Sequence, residues 1–103
     1  MLVFRRSPRF EAWLRRIADQ KARARIFTRL DQASLGNFGD CKPIGEGVSE
    51  MRINFGPGYR LYFVREGAAV YLLLLGGDKS SQKRDIELAL AMARKLKQEQ
   101  GYD

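Results

Sequence analysis

The sequence predicts an α+β fold, with two helices ahead of a small antiparallel sheet and one helix behind it. Three observations carry this. Apolar residues recur at helical spacing from Phe10 to Ile17 and again from Ala22 to Ala33; the period becomes two from Val48 onward; helical spacing returns from Ile86 to Leu96. Gly-rich turns divide the period-two stretch into three strand-like runs, which short hairpins join into one sheet.

Leu2-Val3-Phe4 reads as a short strand at the sheet edge. Ser7-Pro8 follows, a capping serine with proline at the first helical position, and signals a helix start. Phe10, Trp13, Leu14 and Ile17 form one apolar stripe. Trp13 sits inside that stripe and is assigned to packing rather than to base stacking. Asp19 or Gln20 interrupts the helix, after which Ala22, Ile26, Leu30 and Ala33 make a second stripe, so the pair is a helical hairpin or one bent helix. Lys21, Arg23, Arg25 and Arg29 decorate the remainder as a solvated face or a surface for an acidic partner. Leu35-Gly36-Asn37 ends it, glycine being the usual residue past a helix C-terminus.

Phe38 to Ile44 reads as loop with a short irregular strand, which Pro43 bars from the sheet centre. In the next run Ser49, Met51, Ile53 and Phe55 fall on one face and Val48, Glu50, Arg52 and Asn54 on the other; the first is expected to be core and the second polar. After the Gly56-Pro57-Gly58 turn, Tyr59, Leu61 and Phe63 alternate with Arg60, Tyr62 and Val64. If the apolar faces coincide, Glu50, Arg52, Arg60 and Tyr62 are neighbours on the opposite side. Arg65-Glu66-Gly67 closes a second hairpin, and Val70 to Leu75 lacks polar alternation, as a strand covered on both faces would. Gly76-Gly77-Asp78-Lys79 ends it, and a final helix capped by Ser80 or Ser81 carries the stripe Ile86, Ala89, Leu90, Ala93 and Leu96.

Length and composition bound the function. A chain of 103 residues is expected to form one domain, 1–103, burying roughly 60 to 70% of its unfolded surface. Hydrophobic content of 45% with 30% charged residues is that of a globular protein. The net charge of +7 and a pI near 10.0 point to an anionic partner, nucleic acid or an acidic protein. A membrane surface fits less well, because the basic residues are spread through every segment. Cys41 is the lone cysteine, so no internal disulfide forms, and there is no histidine, which removes the usual metal ligand and the usual general base. No metal or other cofactor is expected. Charges interrupt the N-terminal segment where a secretion signal needs an apolar stretch, and the longest apolar run, Ala68 to Leu75, is far short of a membrane span; a cytoplasmic protein is expected.

Four blocks occur in order: Gly47-Val48-Ser49-Glu50-Met51-Arg52-Ile53, Gly56-Pro57-Gly58-Tyr59-Arg60-Leu61-Tyr62, Leu74-Leu75-Gly76-Gly77-Asp78-Lys79-Ser80-Ser81-Gln82, and Asp85-Ile86. In these the chain resembles the phage-derived addiction-module killer branch of the RelE/ParE toxin superfamily, close to HigB-type toxins. The resemblance implies a small antiparallel sheet with helices packed on it and a role as toxin of a type II toxin–antitoxin pair. RelE-like and HigB-like members cleave mRNA in the ribosomal A site, whereas ParE-like members poison DNA gyrase. It further implies a hetero-oligomer with a cognate antitoxin of the helix-turn-helix type, and the ribosome and mRNA as targets. Arg60 corresponds to the phosphate-stabilising arginine of the nuclease branch, Lys79 to its second cation, and Arg52 to a basic residue on the strand before the turn. One departure stands out. Nuclease members carry a tyrosine or histidine near the C-terminus, but here Asp85 stands about where that tyrosine falls, and the only later aromatic is Tyr102.

Metal-free RNA cleavage requires the 2′-hydroxyl to attack its own phosphate, so a site must accept a proton, stabilise extra negative charge and protonate the leaving 5′-oxygen. Arg52 and Arg60 suit the second task, since each offers a planar fork and stays charged at any working pH. For proton transfer Glu50 is the first candidate and Lys79 the second; the plainer reading pairs Glu50 with Arg52 or Arg60. Tyr62 is a candidate for stacking on a base, Tyr59 for the core. Lys42 extends the phosphate track or is a surface charge, and Asp78 is a turn or cap residue. Arg52, Arg60 and Lys79 are expected to converge on one exposed hollow. A gyrase poison and a non-catalytic basic RNA-binding module are the competing functions.

Overall fold

Ser7 and Asp19 decide where the helices begin. Ser7 Oγ accepts from the Phe10 N–H at 3.0 Å, with Pro8 at the first helical position, and starts α1 (Pro8–Arg16). The same hydroxyl donates to the Leu74 carbonyl at 2.6 Å, fastening the helix start to the sheet. Asp19 then caps α2 (Gln20–Ser34) by accepting from the Lys21 and Ala22 N–H groups, so the pair is a hairpin of two separate helices.

The computed structural model describes residues 1–100. Strand β1 (Val3–Arg6) precedes the helices, and β2 (Cys41–Gly45), β3 (Val48–Ile53), β4 (Tyr59–Arg65) and β5 (Val70–Gly77) follow them. A 3-10 turn (Lys79–Ser81) leads into α3 (Gln82–Glu99). The five strands lie in the order β1-β5-β4-β3-β2, with β1 parallel to β5 and every other pairing antiparallel. This is the expected α+β architecture with its mixed edge. Pro43 lies on the edge strand β2, where a missing N–H costs nothing.

Both faces of the sheet are core, which corrects the expectation that one would be polar and open. Met51, Ile53, Leu61, Phe63 and Leu73 pack with Phe10 and Leu14 of α1 and Ile26, Leu30 and Ala33 of α2. On the other face Val48, Tyr62, Val64, Leu72, Leu74 and Leu75 pack with Ala89 and Ala93 of α3. Two alanines on the buried stripe let α3 come close to the strands, and the Glu50 side of the sheet is thereby roofed. Neither serine caps α3 with its side chain. Instead Asp78 caps the 3-10 turn by accepting from Ser80 N–H, and Ser81 Oγ accepts from Asp78 N–H.

A bulge in β5 sets the geometry of its end. Tyr62 pairs with Leu75 and Phe63 with Leu73, so Leu74 is unopposed and both Leu74 and Leu75 belong to the α3-side cluster. Beyond it the alternation is shifted by one. A Cβ on Gly76 would lie 2.2 Å from Trp13 Cε3, and one on Gly77 would lie 1.9 Å from Asp85 Oδ2, so each glycine lets a side chain of the layer above it rest on the strand. Trp13 is a packing residue, as its stripe required.

Candidate functional site

The alternation of β3 and β4 puts Glu50, Arg52, Arg60 and Tyr62 on the α3 side of the sheet, with Arg52 directly opposite Arg60 and Glu50 opposite Tyr62. Two like charges facing each other across strands repel. Glu50 lies between them and is fully buried. Its Oε2 accepts from Tyr62 Oη and from Gln82 Nε2 of α3, each at 3.0 Å. Arg60 Nε stands 3.8 Å from Oε2 and Arg52 Nε 3.8 Å from Oε1, beyond hydrogen-bonding range but close enough for direct attraction.

Glu50 and Tyr62 are thus together, as the pairing required, but not on an open face. Tyr62 is fully buried, which corrects the expectation of a base-stacking ring. Burial, and next the hydrogen bond to Glu50, push its phenol far above its ordinary value, so it remains a donor to the carboxylate. The picture of Glu50 as an accessible proton acceptor is corrected for the same reason: substrate has no surface by which to reach it. What the position does is hold two guanidinium groups side by side. Arg52 remains about a third exposed, at 34%, and Arg60 less so, at 12%.

Lys79 joins this cluster through the β3–β4 hairpin. Its backbone N–H donates to the Pro57 carbonyl at 3.3 Å, and Arg60 Nη1 donates to the Gly58 carbonyl at 2.7 Å. Gly58 has φ +80°, and a Cβ there would meet Arg60 Nη1 at 3.1 Å and Lys79 Cβ at 3.4 Å. Arginine, hairpin tip and lysine are therefore packed together. Asn54, Phe55, Gly56, Pro57, Gly58 and Lys79 line an open hollow of about 300 Å³. Arg52 and Arg60 do not line it, so the expectation of a single hollow shared by all three cations is corrected: Lys79 borders the hollow, while Arg60 lies behind Gly58 and Arg52 beside Glu50. Asp78 is a cap, and its carboxyl is held below the usual range by the Ser80 hydrogen bond first, with Arg60 nearby adding to the effect.

Three further residues complete the surroundings. Lys42, exposed on the edge strand, is the cross-strand partner of Glu50 and so lies on the same face. Asp40 is exposed, with its Oδ1 3.7 Å from Arg52 Nε. Arg29 of α2, read from sequence as part of a solvated face, donates to the carbonyls of Arg52, Phe38 and Asp40 and clamps the segment that presents Asp40. Gly39, at φ +67°, leaves room for its head: a Cβ there would lie 2.9 Å from Arg29 Nη2. Asp85 is buried beneath Ser81, whose Oγ donates to it at 2.5 Å, and is a packing carboxylate against Gly77. Tyr102 lies outside the described residues.

Arg52 and Arg60 are matched by the carboxylates of Glu50 and Asp40, and Lys79 and Lys42 add exposed positive charge around them, an excess that suits an anion. Burial pushes the Cys41 thiol up, which disfavours its thiolate. Among the described residues no group of three His, Cys, Asp or Glu side chains is placed to hold a metal ion, and no helix is long and apolar enough to cross a membrane.

An uncharacterized protein of Haemophilus influenzae (strain ATCC 51907 / DSM 11121 / KW20 / Rd) is 40% identical over 87 residues, 84% of this chain and 88% of that protein. Residues 12–96, which span most of α1 through most of α3 and every site residue above, match the family described as "Phage derived protein Gp49-like (DUF891)". The chain belongs to this phage-derived Gp49-like family, a family of the RelE toxin type.

Proposed function

We propose that the protein is the toxin of a type II toxin–antitoxin pair, of the HigB-like branch, and that it acts as a metal-independent endoribonuclease on ribosome-bound mRNA. The observation that carries this is the Arg52–Arg60 pair. Glu50 holds the two guanidiniums side by side on one face, and the part-exposed fork of Arg52, with Arg60 beside it, suits the non-bridging oxygens of a phosphate diester. The Gp49-like family membership and the RelE-type fold support the same reading.

In this mechanism Arg52 and Arg60 stabilise the charge that builds on the non-bridging oxygens as the 2′-oxygen attacks phosphorus. Glu50 fixes the two guanidiniums and stays out of the reaction. The 2′-hydroxyl proton passes to Asp40, which is exposed beside Arg52, and Lys79 protonates the departing 5′-oxygen. The P–O5′ bond breaks as the P–O2′ bond forms, which leaves a 2′,3′-cyclic phosphate and a 5′-hydroxyl. Lys42 lies on the same face and contacts the RNA backbone. A cognate helix-turn-helix antitoxin holds the toxin silent in the cytoplasm.

The test is induction of the protein and of Arg60→Ala in growing cells, with primer extension on a translated mRNA and circular dichroism of both purified proteins. The parent is expected to arrest growth and cut the transcript, while folded Arg60→Ala does neither. Intact transcripts during arrest would overturn the nuclease reading, and double-strand DNA breaks in the same cells would turn it toward a gyrase poison. Salt-sensitive RNA binding without toxicity would instead mark a non-catalytic module.

A further inference from the structure

Glu50 is hydrogen-bonded through one of its two oxygens. Oε2 accepts from Tyr62 Oη and from Gln82 Nε2, each at 3.0 Å, while among the described residues nothing donates to Oε1, and Arg52 Nε and Arg60 Nε donate to nothing. The attraction of the guanidiniums across 3.8 Å has no preferred angle, whereas a hydrogen bond weakens steeply when it bends. The two donors therefore fix the plane of the carboxylate, and with it the direction in which Oε1 faces Arg52. Tyr62 rides on β4 with Arg60. Gln82 opens α3, and of the two donors it is the one from outside the β3–β4 hairpin.

Lys79 sits in the arch that Gln82 closes. Gly77 is paired with Arg60 at one foot of this arch, and Gln82 holds Glu50 at the other. Between the feet the hydrogen bonds of Asp78 with Ser80 and of Ser81 with Asp85 are local to the turn and the start of α3. A further tie to the hairpin, from the Lys79 N–H to the Pro57 carbonyl, is long at 3.3 Å. Gln82 is half-buried and carries no charge. A cationic donor in its place would compete with the arginines for Glu50 and a carboxylate would repel it, so an amide satisfies Oε2 and leaves the charge of Glu50 to the arginines.

We infer that Gln82 is a positioning residue: through Glu50 it holds the Lys79 turn in register with the Arg52–Arg60 pair, so that the ammonium reaches the leaving oxygen of the phosphate the arginines hold. The inference rests on the nuclease reading for its activity readout. Gln82 acts through its neighbours and is assigned no contact with substrate. Slackening the arch slows protonation of the departing 5′-oxygen, while RNA binding, carried by Arg52, Arg60 and Lys42, changes little.

Gln82→Met keeps the length and helix preference of the side chain and removes the donor. Single-turnover cleavage of mRNA on purified ribosomes is compared for parent and variant, on an ordinary RNA and on one whose scissile 5′-oxygen is replaced by sulfur, a leaving group that needs no proton. Gln82→Met is expected to cut the ordinary RNA about tenfold or more slowly, to bind an RNA with a 2′-deoxy scissile ribose within about threefold of the parent, and to regain most of the deficit on the sulfur substrate. An equal deficit on both substrates, or no deficit, would overturn the inference. Gln82→Glu places a carboxyl that donates to Glu50 only when protonated, so its rate relative to the parent should rise as pH falls from about 8 to about 6; a flat ratio would count against the inference. Should the parent cleave neither RNA, the nuclease reading fails, and nuclear magnetic resonance of the uncomplexed protein decides the positioning role by itself. Gln82→Met should then shift the Nε–Hε signals of Arg52 and Arg60 together with the backbone amide of Lys79, whereas shifts confined to α3 would overturn it.

Discussion

Glu50→Gln isolates the charge that holds the arginine pair, because glutamine keeps the volume and can still accept from Tyr62 and Gln82. Each guanidinium sits 3.8 Å from a carboxylate oxygen, worth about 4 kcal/mol of attraction at an effective dielectric of 20 before desolvation is subtracted. Breaking a buried pair from one side costs about 3 to 5 kcal/mol, since the remaining charge is left uncompensated. The partial exposure of Arg52, at 34%, lets solvent screen its share, so about 3 kcal/mol is the reasonable figure. With an unfolding entropy of about 2.1 cal/mol/K per residue, that lowers the melting temperature by roughly 14 °C. Circular dichroism during heating reads it directly, and adding Arg52→Gln to Glu50→Gln should recover about a third of the loss because the like-charge repulsion goes with it. RNA cleavage should fall together with stability. A Glu50→Gln protein that melts within about 3 °C of the parent yet loses all cleavage would refute this reasoning, since it would make Glu50 a proton acceptor rather than a brace.

Three further variants have expected outcomes. Tyr62→Phe should cost about 1 to 2 kcal/mol in urea unfolding by removing a buried donor to Glu50. Because the folded phenol titrates above its unfolded value, the parent's stability is intact below the unfolded value near 10.0 and falls as pH rises beyond it; Tyr62→Phe should flatten that alkaline decline. Arg29→Ala should cost about 2 kcal/mol through three lost carbonyl contacts, and amide exchange should speed up from Phe38 to Asp40. Gly76→Ala should destabilise by about 2 kcal/mol or more and shift the emission of Trp13, because its Cβ would fall inside the indole.

Much of the fold was legible because it rests on local chemistry. The Ser7-Pro8 start, the Asp19 break, the two stripes of α1 and α2 and the hairpin at Gly56-Pro57-Gly58 all depend on residues a few positions apart. The shared side of Glu50, Arg52, Arg60 and Tyr62 was legible too, since alternation assigns residues to faces. Alternation does not say which face a distant helix will cover. Ala89 and Ala93 approach that face from some forty residues downstream of Glu50, and their packing turns Glu50 and Tyr62 from surface into interior. Arg29 was missed for a related reason: an arginine on a helix looks the same whether its head meets water or three carbonyl oxygens. The bulge at Leu74 is silent in a run of four leucines, where any of them could be the unopposed one.

That slack residue also uncouples the two ends of β5. Upstream of it the strand keeps time with β1; downstream it keeps time with Arg60, delivering Gly77, Asp78 and Lys79 to the hairpin. Changes in how the first strand docks can be absorbed at Leu74 before they reach the lysine. Deleting Leu74 would remove that buffer, leave strict alternation with every remaining side chain on its present side, and carry a fault at the sheet's outer edge straight to the cationic cluster.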